Sequence, residues 1–471
     1  MNMTLEQARD AMGALGDLCG LEDVAVNAVC TDSRLAEGGE VFVCLTGERF
    51  DGHAFAVQAV ERGARAVVAS RPVDLPSGAS GGVPLLMVPD TLDALGRLAS
   101  AWRAACAQGT TVVAVTGSTG KTTVKQMLAA ILSRVGETAF NPGNLNNRIG
   151  VPRTILSCTG KERFWVLELG VNLPGEMDAL GAMVQPDLAV VVNVAPAHLE
   201  GLGSLEGVAE AKASLFRYLA DGGAAVMGAD HPALEDAVRA LGVSPLRFTA
   251  KGAPDCEVSC DYLGSRDGQG RYRLTMRGAV LDLDLPVAGA YWAENVAAAA
   301  MAATALDAPL EAVEAGLKAT VLPEHRFDVR RLGKVTLIDD CYNANPLSMA
   351  AAVAGAAEMA GDDPLVLVLG EMLELGDGAG ELHRELGRTI ASTGASAVVW
   401  HGGHGKDVAA GLGNGHWPGA FTALPEQGGE AAVVEAVEAL RLERGVILVK
   451  GSRGCRMERY VAALAAGAEE R

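Results

Sequence analysis

Short, uninterrupted apolar runs recur along this chain, separated by longer stretches with helical spacing. VFVCL (41–45), AVVAS (66–70) and LLMVP (85–89) come first, and a helical stretch from about Thr91 to Cys106 follows them. TVVAVTG (111–117) then runs into a helix rich in lysine and threonine, and FWVLELG (164–170), LAVVVNV (188–194) and AAVMG (224–228) come after it. Beyond Gly361 the pattern returns as LVLVLG (365–370), SAVVW (396–400) and VILVKG (446–451). Val/Leu/Ile runs without polar alternation predict strands covered on both faces. Strand–helix alternation predicts parallel sheets. The segment 252–286, with its RYRLTM and LDLDL stretches, reads instead as a small antiparallel excursion. The longest bland apolar run, Val296 to Leu306, is mostly alanine. It falls short of the roughly 20 residues that span a bilayer, so it predicts a buried helix.

A length of 471 residues allows three domains, at roughly 150 residues for each. Gln108-Gly109 ends a helix just before a glycine-rich motif, and LPEHRF (322–327) precedes a new strand. We therefore divide the chain at 1–108, 109–323 and 324–471. The fold class is α/β: a central P-loop-type domain on a parallel sheet, flanked by an N-terminal α/β domain and a C-terminal Rossmann-like α/β domain.

Hydrophobic residues make up 49% of the chain, enough for several cores, which argues against disorder and against a disulfide-stapled miniprotein. Charge stands at 39 basic against 58 acidic residues, a net −19. A general nucleic-acid binder needs a basic face, so that class is disfavoured, whereas a small anion in a local pocket is not. The nine cysteines are scattered and form no CxxC pair. With an N-terminus that carries acids where a signal peptide carries lysines, this predicts a reduced, cytoplasmic setting and no membrane insertion.

The strongest local signal is VVAVTGSTGKTT (112–123). A strand, a glycine-rich turn and a helix beginning near Lys121 point several backbone N–H groups at one anion, and the helix dipole adds positive charge. In such a loop Gly117, Ser118, Thr119, Gly120 and Thr123 wrap the phosphates, Lys121 reaches the β/γ-phosphates and the Thr122 hydroxyl holds Mg²⁺. The first glycine of the long P-loop pattern falls at Val115, so this is a shortened variant. A plain turn with a solvent-facing lysine is the bland alternative, and the strand–loop–helix context disfavours it.

Parallel sheets present ligand sites at the carboxyl ends of their strands. Glu168 ends FWVLEL, Asn193 ends LAVVVN, and His198 follows in NVAPAHLEG. A carboxylate and an imidazole there can complete a Mg²⁺ site opposite Thr122. Singly, each is as easily a loop cap or a satisfied histidine. Lys212 lies on the amphipathic stretch SLEGVAEAKASLFRYL (204–219), where a lysine is ordinarily solvated, so composition gives it no role. NPGNLNNRIGVP (141–152) holds four asparagines, which suits either turn chemistry or a polar substrate pocket. In HRFDVRRLGKVTLIDDCYNANP (325–346) a strand ends in Asp339-Asp340. An aspartate there suits ribose hydroxyls, and Arg326 suits phosphate oxygens. TDSR (31–34) and LTGERFDGHAF (45–55) are polar loops, weak when taken alone.

In this order, the motifs resemble the Mur ligase family of ATP-dependent, amide-forming enzymes of bacterial cell-wall synthesis, along nearly the whole chain. TGSTGKTT, LELG, NVAPAHLEG, AKASLF, HRFDV and DDCYNANP carry the resemblance. TDSR with GERFDGHAF, NPGNLNNRIGVP and LGEMLELGDGAGELH (369–383) resemble the last ligase of the series. The resemblance implies a UDP-N-acetylmuramoyl-tripeptide and D-alanyl-D-alanine as substrates and ATP and two Mg²⁺ as cofactors; three domains that form their own cleft need no partner, so a monomer is expected. It implies that Lys121 binds the γ-phosphate and that Thr122, Glu168, His198 and a carbamylated Lys212 serve the magnesium. Lys121, Glu168, His198 and Lys212 form the implied catalytic set. Arg326 is implied to contact phosphate, Asp340 ribose, Ser33 and Arg34 the uridine diphosphate end, and Asn144 and Asn147 the muramoyl-peptide. One departure stands out. Where the family shows Gly-x-His-Asn-x-x-Asn for adenine, this chain reads Gly289-Ala-Tyr-Trp-Ala-Glu-Asn295. Asn295 keeps its place, while Tyr291 and Trp292 offer rings on which adenine can stack.

The implied reaction activates a peptide carboxylate as an acyl phosphate, which the dipeptide amine then attacks. A folylpolyglutamate synthetase of the same superfamily needs no TDSR loop. A P-loop ATPase or kinase turns over without either peptide, and a nucleotide-binding module does not turn over at all. These are the readings that compete with it.

Overall fold

The computed structural model describes residues 3–47, 50–76, 82–106, 109–266, 269–413, 415, 417–425 and 429–469. The boundary expected at 108 and the Glu48-Arg49 part of the GERFDGHAF loop lie outside them. Three sheets organise these residues, beside one two-stranded ribbon of Met3–Thr4 with Ala25–Val26. The first is four-stranded and parallel in chain order: Val29–Cys30, Val41–Val43, Ala66–Ala69 and Leu85–Met87. The run 66–69 is buried on both faces, as its unbroken apolar sequence predicts.

The central sheet has nine strands. Thr111–Thr116 pairs in parallel with Leu188–Val191 on one side and with Phe164–Glu168 on the other. Thr138–Phe140 closes one edge. Ala224–Gly228 and Leu246–Thr249 continue the parallel part on the other side. The antiparallel excursion predicted at 252–286 exists, but it is no separate sheet. Val258–Arg266, Gln269–Met276 and Ala279–Leu285 extend the same sheet, the first of them joining Leu246–Thr249 in parallel. The alanine-rich run lies in the helix Trp292–Ala305, buried over 295–303. Among the described residues no helix is long and apolar enough to cross a membrane.

The third sheet has six strands, in the order Asp328–Leu332, Val335–Asp339, Gly445–Lys450, Leu365–Gly370, Ala397–His401, Ala420–Ala423. Only the first pairing is antiparallel. Several of the described strands are absent from the sequence reading, among them 138–140, 246–249 and 420–423. Each is short and mixes polar with apolar residues, and the first and last are sheet edges, so no continuous apolar run marks them. The run at 188–194 is also shorter as a strand, which stops at Val191 and leaves Asn193 on the loop.

One core spans the first unit and one face of the central sheet. Leu5, Leu86, Leu95 and Leu98 join Val112, Trp165 and Leu169 in a single buried cluster. The helix Thr91–Ala105 sits at this seam, with Trp102 Nε1 donating to Cys158 O at 3.0 Å.

Candidate active site

The strand Thr111–Thr116 delivers the chain into the glycine-rich turn, and the helix Lys121–Leu132 starts at Lys121, as predicted. Gly120 takes φ +75°, a left-handed value that favours glycine, and a Cβ there would lie 2.0 Å from Asn295 Oδ1. The loop is latched to the neighbouring strand end. Ser118 N donates to Asn193 O (3.1 Å), Thr119 N to Asn193 Oδ1 (2.9 Å), and Ala195 N to Ser118 Oγ (2.9 Å). Asn193 in turn donates to Thr119 Oγ1 and to Glu294, which pairs with His231 Nε2 at 2.5 Å. Strand order thus holds the turn open to the cleft.

Lys121 is folded over its own loop, Nζ 2.8 Å from Gly117 O. Burial pushes its ammonium below the usual lysine range, and Arg326 adds to the effect while Glu168 opposes it. Even a half-buried cation is costly unless an anion meets it. Glu168, the last residue of its strand, is 1% exposed. Its Oε1 accepts from Asn146 Nδ2 at 2.8 Å. Its Oε2 is buried with no hydrogen-bond partner, 3.5 Å from Lys125 Nζ. Lys125 also donates to Asn141 O and Gly143 O, so it ties the asparagine-rich segment to the loop helix.

His198 has φ 56° and sits just before the short helix Leu199–Leu202. Its Nδ1 is hydrogen-bonded to Glu374 of the third unit, which leaves Nε2 as the nitrogen available to a ligand. Burial lowers its pKa, against the opposing pull of Glu374. Lys212 departs from the sequence reading. It is not on a solvated face but 1% exposed, near the end of the helix Leu205–Ala213. It has neither a hydrogen bond nor an ion pair among the described residues. Burial, with Lys121 nearby, drives its pKa well below the ordinary lysine value. The amphipathic pattern misplaced it because this helix has neighbours on more than one side.

From the third unit, Arg326 Nη2 donates to Thr122 Oγ1 at 2.8 Å, and its guanidinium lies 4.1 Å from the Tyr342 ring centre. Asp340 accepts from Phe327 N (3.1 Å) and from Lys450 Nζ (2.7 Å), and each oxygen keeps a lone pair for a hydroxyl. Asn345 reaches Ser118 O. The turn from Ser118 to Thr123, with Glu168, His198, Arg326, Asp340 and Asn345, surrounds one cavity of about 820 Å³ between the central and third units, and neither Gly117 nor Lys212 lines it.

That cavity brings together Ser118, Thr119, Gly120, Lys121, Thr122, Thr123, Asn144, Asn147, Glu168, His198, Asn295, Arg326 and Asp340. Tyr291 and Trp292 line its far end, their rings 4.9 Å apart, and Trp292 Nε1 has no partner. Asn147 is also structural, since its Oδ1 caps the next helix through Gly150 N at 2.9 Å. Ser33 and Arg34 are not on the cavity. Ser33 is buried against Gln58, and Arg34 is exposed and paired with Asp32 at 2.7 Å. Sequence reasoning missed Lys125, Asn146, Glu294, Tyr342, Glu374 and Lys450. The strand-end rule that selected Glu168 also selects Lys450, which ends Gly445–Lys450. His53 and His383 are buried structural groups, each accepting a backbone N–H at 3.0 Å, from Ser70 and Met372.

Comparison with known proteins sharpens what this cleft is. Three sequence models cover most of the chain: "Mur ligase family, catalytic domain" over 25–103, "Mur ligase middle domain" over 115–303, and "Mur ligase, glutamate ligase domain" over 325–453. The UDP-N-acetylmuramoyl-tripeptide–D-alanyl-D-alanine ligase of Escherichia coli K12 is 38% identical over 469 residues, 98% of each chain. The chain belongs to the Mur ligase family. A MurF crystal structure from Acinetobacter baumannii superposes with a TM-score of 0.87 at 30% identity, covering 99% of both chains. The MurF ligase of Thermotoga maritima, solved in complex with ADP, gives 0.81 at 27% identity, covering 97% of this chain and 100% of its own. The family's three-part α/β architecture is therefore this Mur ligase's own, and the cleft lies between its middle and last parts.

Proposed function

We propose that this Mur ligase uses ATP to join D-alanyl-D-alanine to UDP-N-acetylmuramoyl-tripeptide, giving the pentapeptide precursor of peptidoglycan. The observation that carries this reading is the 38% identity over 98% of both chains to a ligase of that name. The cleft geometry supports it. A carboxylate is a poor acylating agent, so it is phosphorylated first, and the dipeptide amine then attacks the acyl phosphate and releases phosphate. Phosphoryl transfer asks mostly for positioning and charge neutralisation. The loop N–H groups, Lys121 and Arg326 supply these from two units of the molecule, in a site from which closure excludes water. Asp340 is placed for ribose hydroxyls, and the Tyr291–Trp292 pair offers the base an aromatic wall. Asn144 and Asn147, on the same cavity as Lys121, are assigned to the muramoyl-peptide in this reading. Ser33 and Arg34 hold the uridine diphosphate end from the first unit.

The donor set fits Mg²⁺. Glu168 Oε2, buried with no hydrogen-bond partner, and the Thr122 hydroxyl are hard oxygen donors, and His198 offers a nitrogen on the same cavity. Mg²⁺ bound there neutralises and orients phosphate oxygens. Lys212 is proposed to be carbamylated. Burial and the nearby Lys121 favour the neutral amine, the form that reacts with CO₂, and the carbamate puts an anion where a lysine stood. Removing CO₂ and bicarbonate from the assay should lower turnover, and restoring them should recover it. Lys212→Ala should lose both the activity and the response. The enzyme is proposed to work as a cytoplasmic monomer.

The deciding experiment measures phosphate release from Mg-ATP with tripeptide and dipeptide substrates added singly and together. Release only with both, with the pentapeptide product seen by mass, is the expected result. Release independent of both overturns the ligase reading in favour of an ATPase or kinase.

A further inference from the structure

At the hinge beside the cleft, three side chains of different chemistry converge. Asp339 ends its strand fully buried, Cys341 follows it fully buried, and His325 comes from the linker with 29% of its side chain exposed. Their donor atoms all lie within 4.8 Å of one another. Cys341 Sγ is 2.8 Å from Asp339 Oδ1 and 3.5 Å from His325 Nδ1, and His325 Nδ1 is 2.8 Å from Asp339 Oδ2. None of the three belongs to the cation-binding residues of the active site, and none lines its cavity.

We propose that Cys341 Sγ, His325 Nδ1 and the Asp339 carboxylate form a second metal site, for a thiophilic divalent ion such as Zn²⁺. Sulfur, imidazole nitrogen and carboxylate oxygen are the donors zinc takes. Mg²⁺ prefers oxygen donors alone, so the two sites select different ions. A tetrahedral ion with bonds of about 2.0–2.3 Å spaces its donors about 3.3–3.6 Å apart. The Cys341–His325 pair already stands at 3.5 Å, and the Asp339 carboxylate, 2.8 Å from each partner, must retreat by roughly 0.5–0.8 Å. His325 opens the site to solvent and leaves room for water as a fourth ligand. Binding breaks the S–H bond and forms a metal–sulfur bond, and the proton goes to solvent. The imidazole proton moves from Nδ1 to Nε2, and no electron is transferred.

The site's position gives it a consequence. His325 and Phe327 both have positive φ, 63° and 57°, and they bracket Arg326. Such backbone holds only when its surroundings enforce it. Here Tyr342 N donates to His325 O, and Phe327 N donates to Asp340 Oδ1. A metal ion bridging His325 to Asp339 and Cys341 would pin the linker that carries Arg326 to the third sheet. Arg330, whose Nη2 lies 3.2 Å from Asp339 Oδ2, competes with the ion for that carboxylate.

Titration of the metal-stripped full-length protein with Co²⁺, without ATP or Mg²⁺, tests this. The expected result is a thiolate-to-cobalt charge-transfer band in the near ultraviolet that saturates at one equivalent and is erased by Zn²⁺. An ion at the active-site cations gives no such band, because no thiol is there. Cys341→Ser should abolish the band, His325→Ala should weaken binding by about tenfold or more, and Arg330→Gln should tighten it. Cys19→Ser, which removes an exposed thiol, should leave the band intact. Far-ultraviolet dichroism and a cooperative melt establish that each variant is folded. No band in the wild type, or an equal band in folded Cys341→Ser, overturns the proposal.

Discussion

The molecule has two seams, and they are built differently. Where the first unit meets the central sheet, the joint is a core. Leu95, Leu98 and Ala99 are fully buried in a cluster that continues through the sheet face, and Trp102 is 5% exposed. Of its charged ties, Arg103 is buried and donates to Val184 O, Gln185 O and Asp187, while the Arg148–Asp93 pair, at 2.7 Å, lies exposed at the rim. Where the third unit meets the central sheet the joint is mixed: Phe327, Met349 and Ala352 share a buried cluster with Trp292 and Val296, but around the cavity the contacts are polar, Arg326 to Thr122, Asn345 to Ser118, Glu374 to His198. A hydrogen bond nets only about 1 kcal/mol and is readily exchanged for one to water or ligand. Buried apolar area has no such substitute. Of the two, the second seam, whose contacts around the cavity are polar, is the one expected to open and close on its ligands about the linker at 322–327.

The sharpest test acts on the cleft alone. Lys121→Ala should lower turnover by about a thousandfold or more, because it removes a charge that meets the transferring phosphoryl group. Its unfolding midpoint should not fall, since a half-buried cation without a strong partner contributes no stability. Near-normal turnover would remove the phosphate-loop assignment. The complementary test acts on the first seam. Trp102→Ala should cost about 3–5 kcal/mol in urea unfolding through a cavity and a lost hydrogen bond, while turnover per folded molecule stays within a few-fold. Wild-type stability for that variant would mean the seam is not a core. Between them, Arg326→Ala should reduce kcat by about a hundredfold with little change in the melt. A large loss of stability there would show that the second seam is welded like the first.

How much of this was legible follows from the same contrast. The phosphate loop was readable because strand, turn and helix are consecutive, so the chemistry is local. Glu168 was readable from the rule that parallel strands aim their carboxyl ends at ligands, and applied further that rule reaches Lys450. Lys212 was not readable. Its helix shows a polar face by spacing, and only the neighbours packed on that face bury it. Asn146 was hidden among look-alike asparagines, and nothing but its 2.8 Å contact with Glu168 separates it from Asn144 and Asn147. Glu374 and Tyr342 act on residues far away in sequence, and no local pattern encodes a contact made by closing a cleft.

The smallest expected effect asks whether the second seam tunes the cation site as well as holding it shut. Glu374 is half exposed, so its pairing with His198 contributes little to stability. Its chemical effect can still be real. By accepting from Nδ1 it fixes the imidazole tautomer and presents Nε2, the arrangement that makes a histidine a better ligand. Glu374→Gln keeps the size and the hydrogen-bonding oxygen but loses the charge. The expected outcome is a melt unchanged within error, a drop in kcat of about three- to tenfold, and a higher Mg²⁺ concentration for half-maximal rate. A purely structural latch predicts something else: a changed KM for the peptide substrates at an unchanged Mg²⁺ requirement. The Mg²⁺ titration of Glu374→Gln therefore separates a contact that closes the cleft from one that prepares its chemistry.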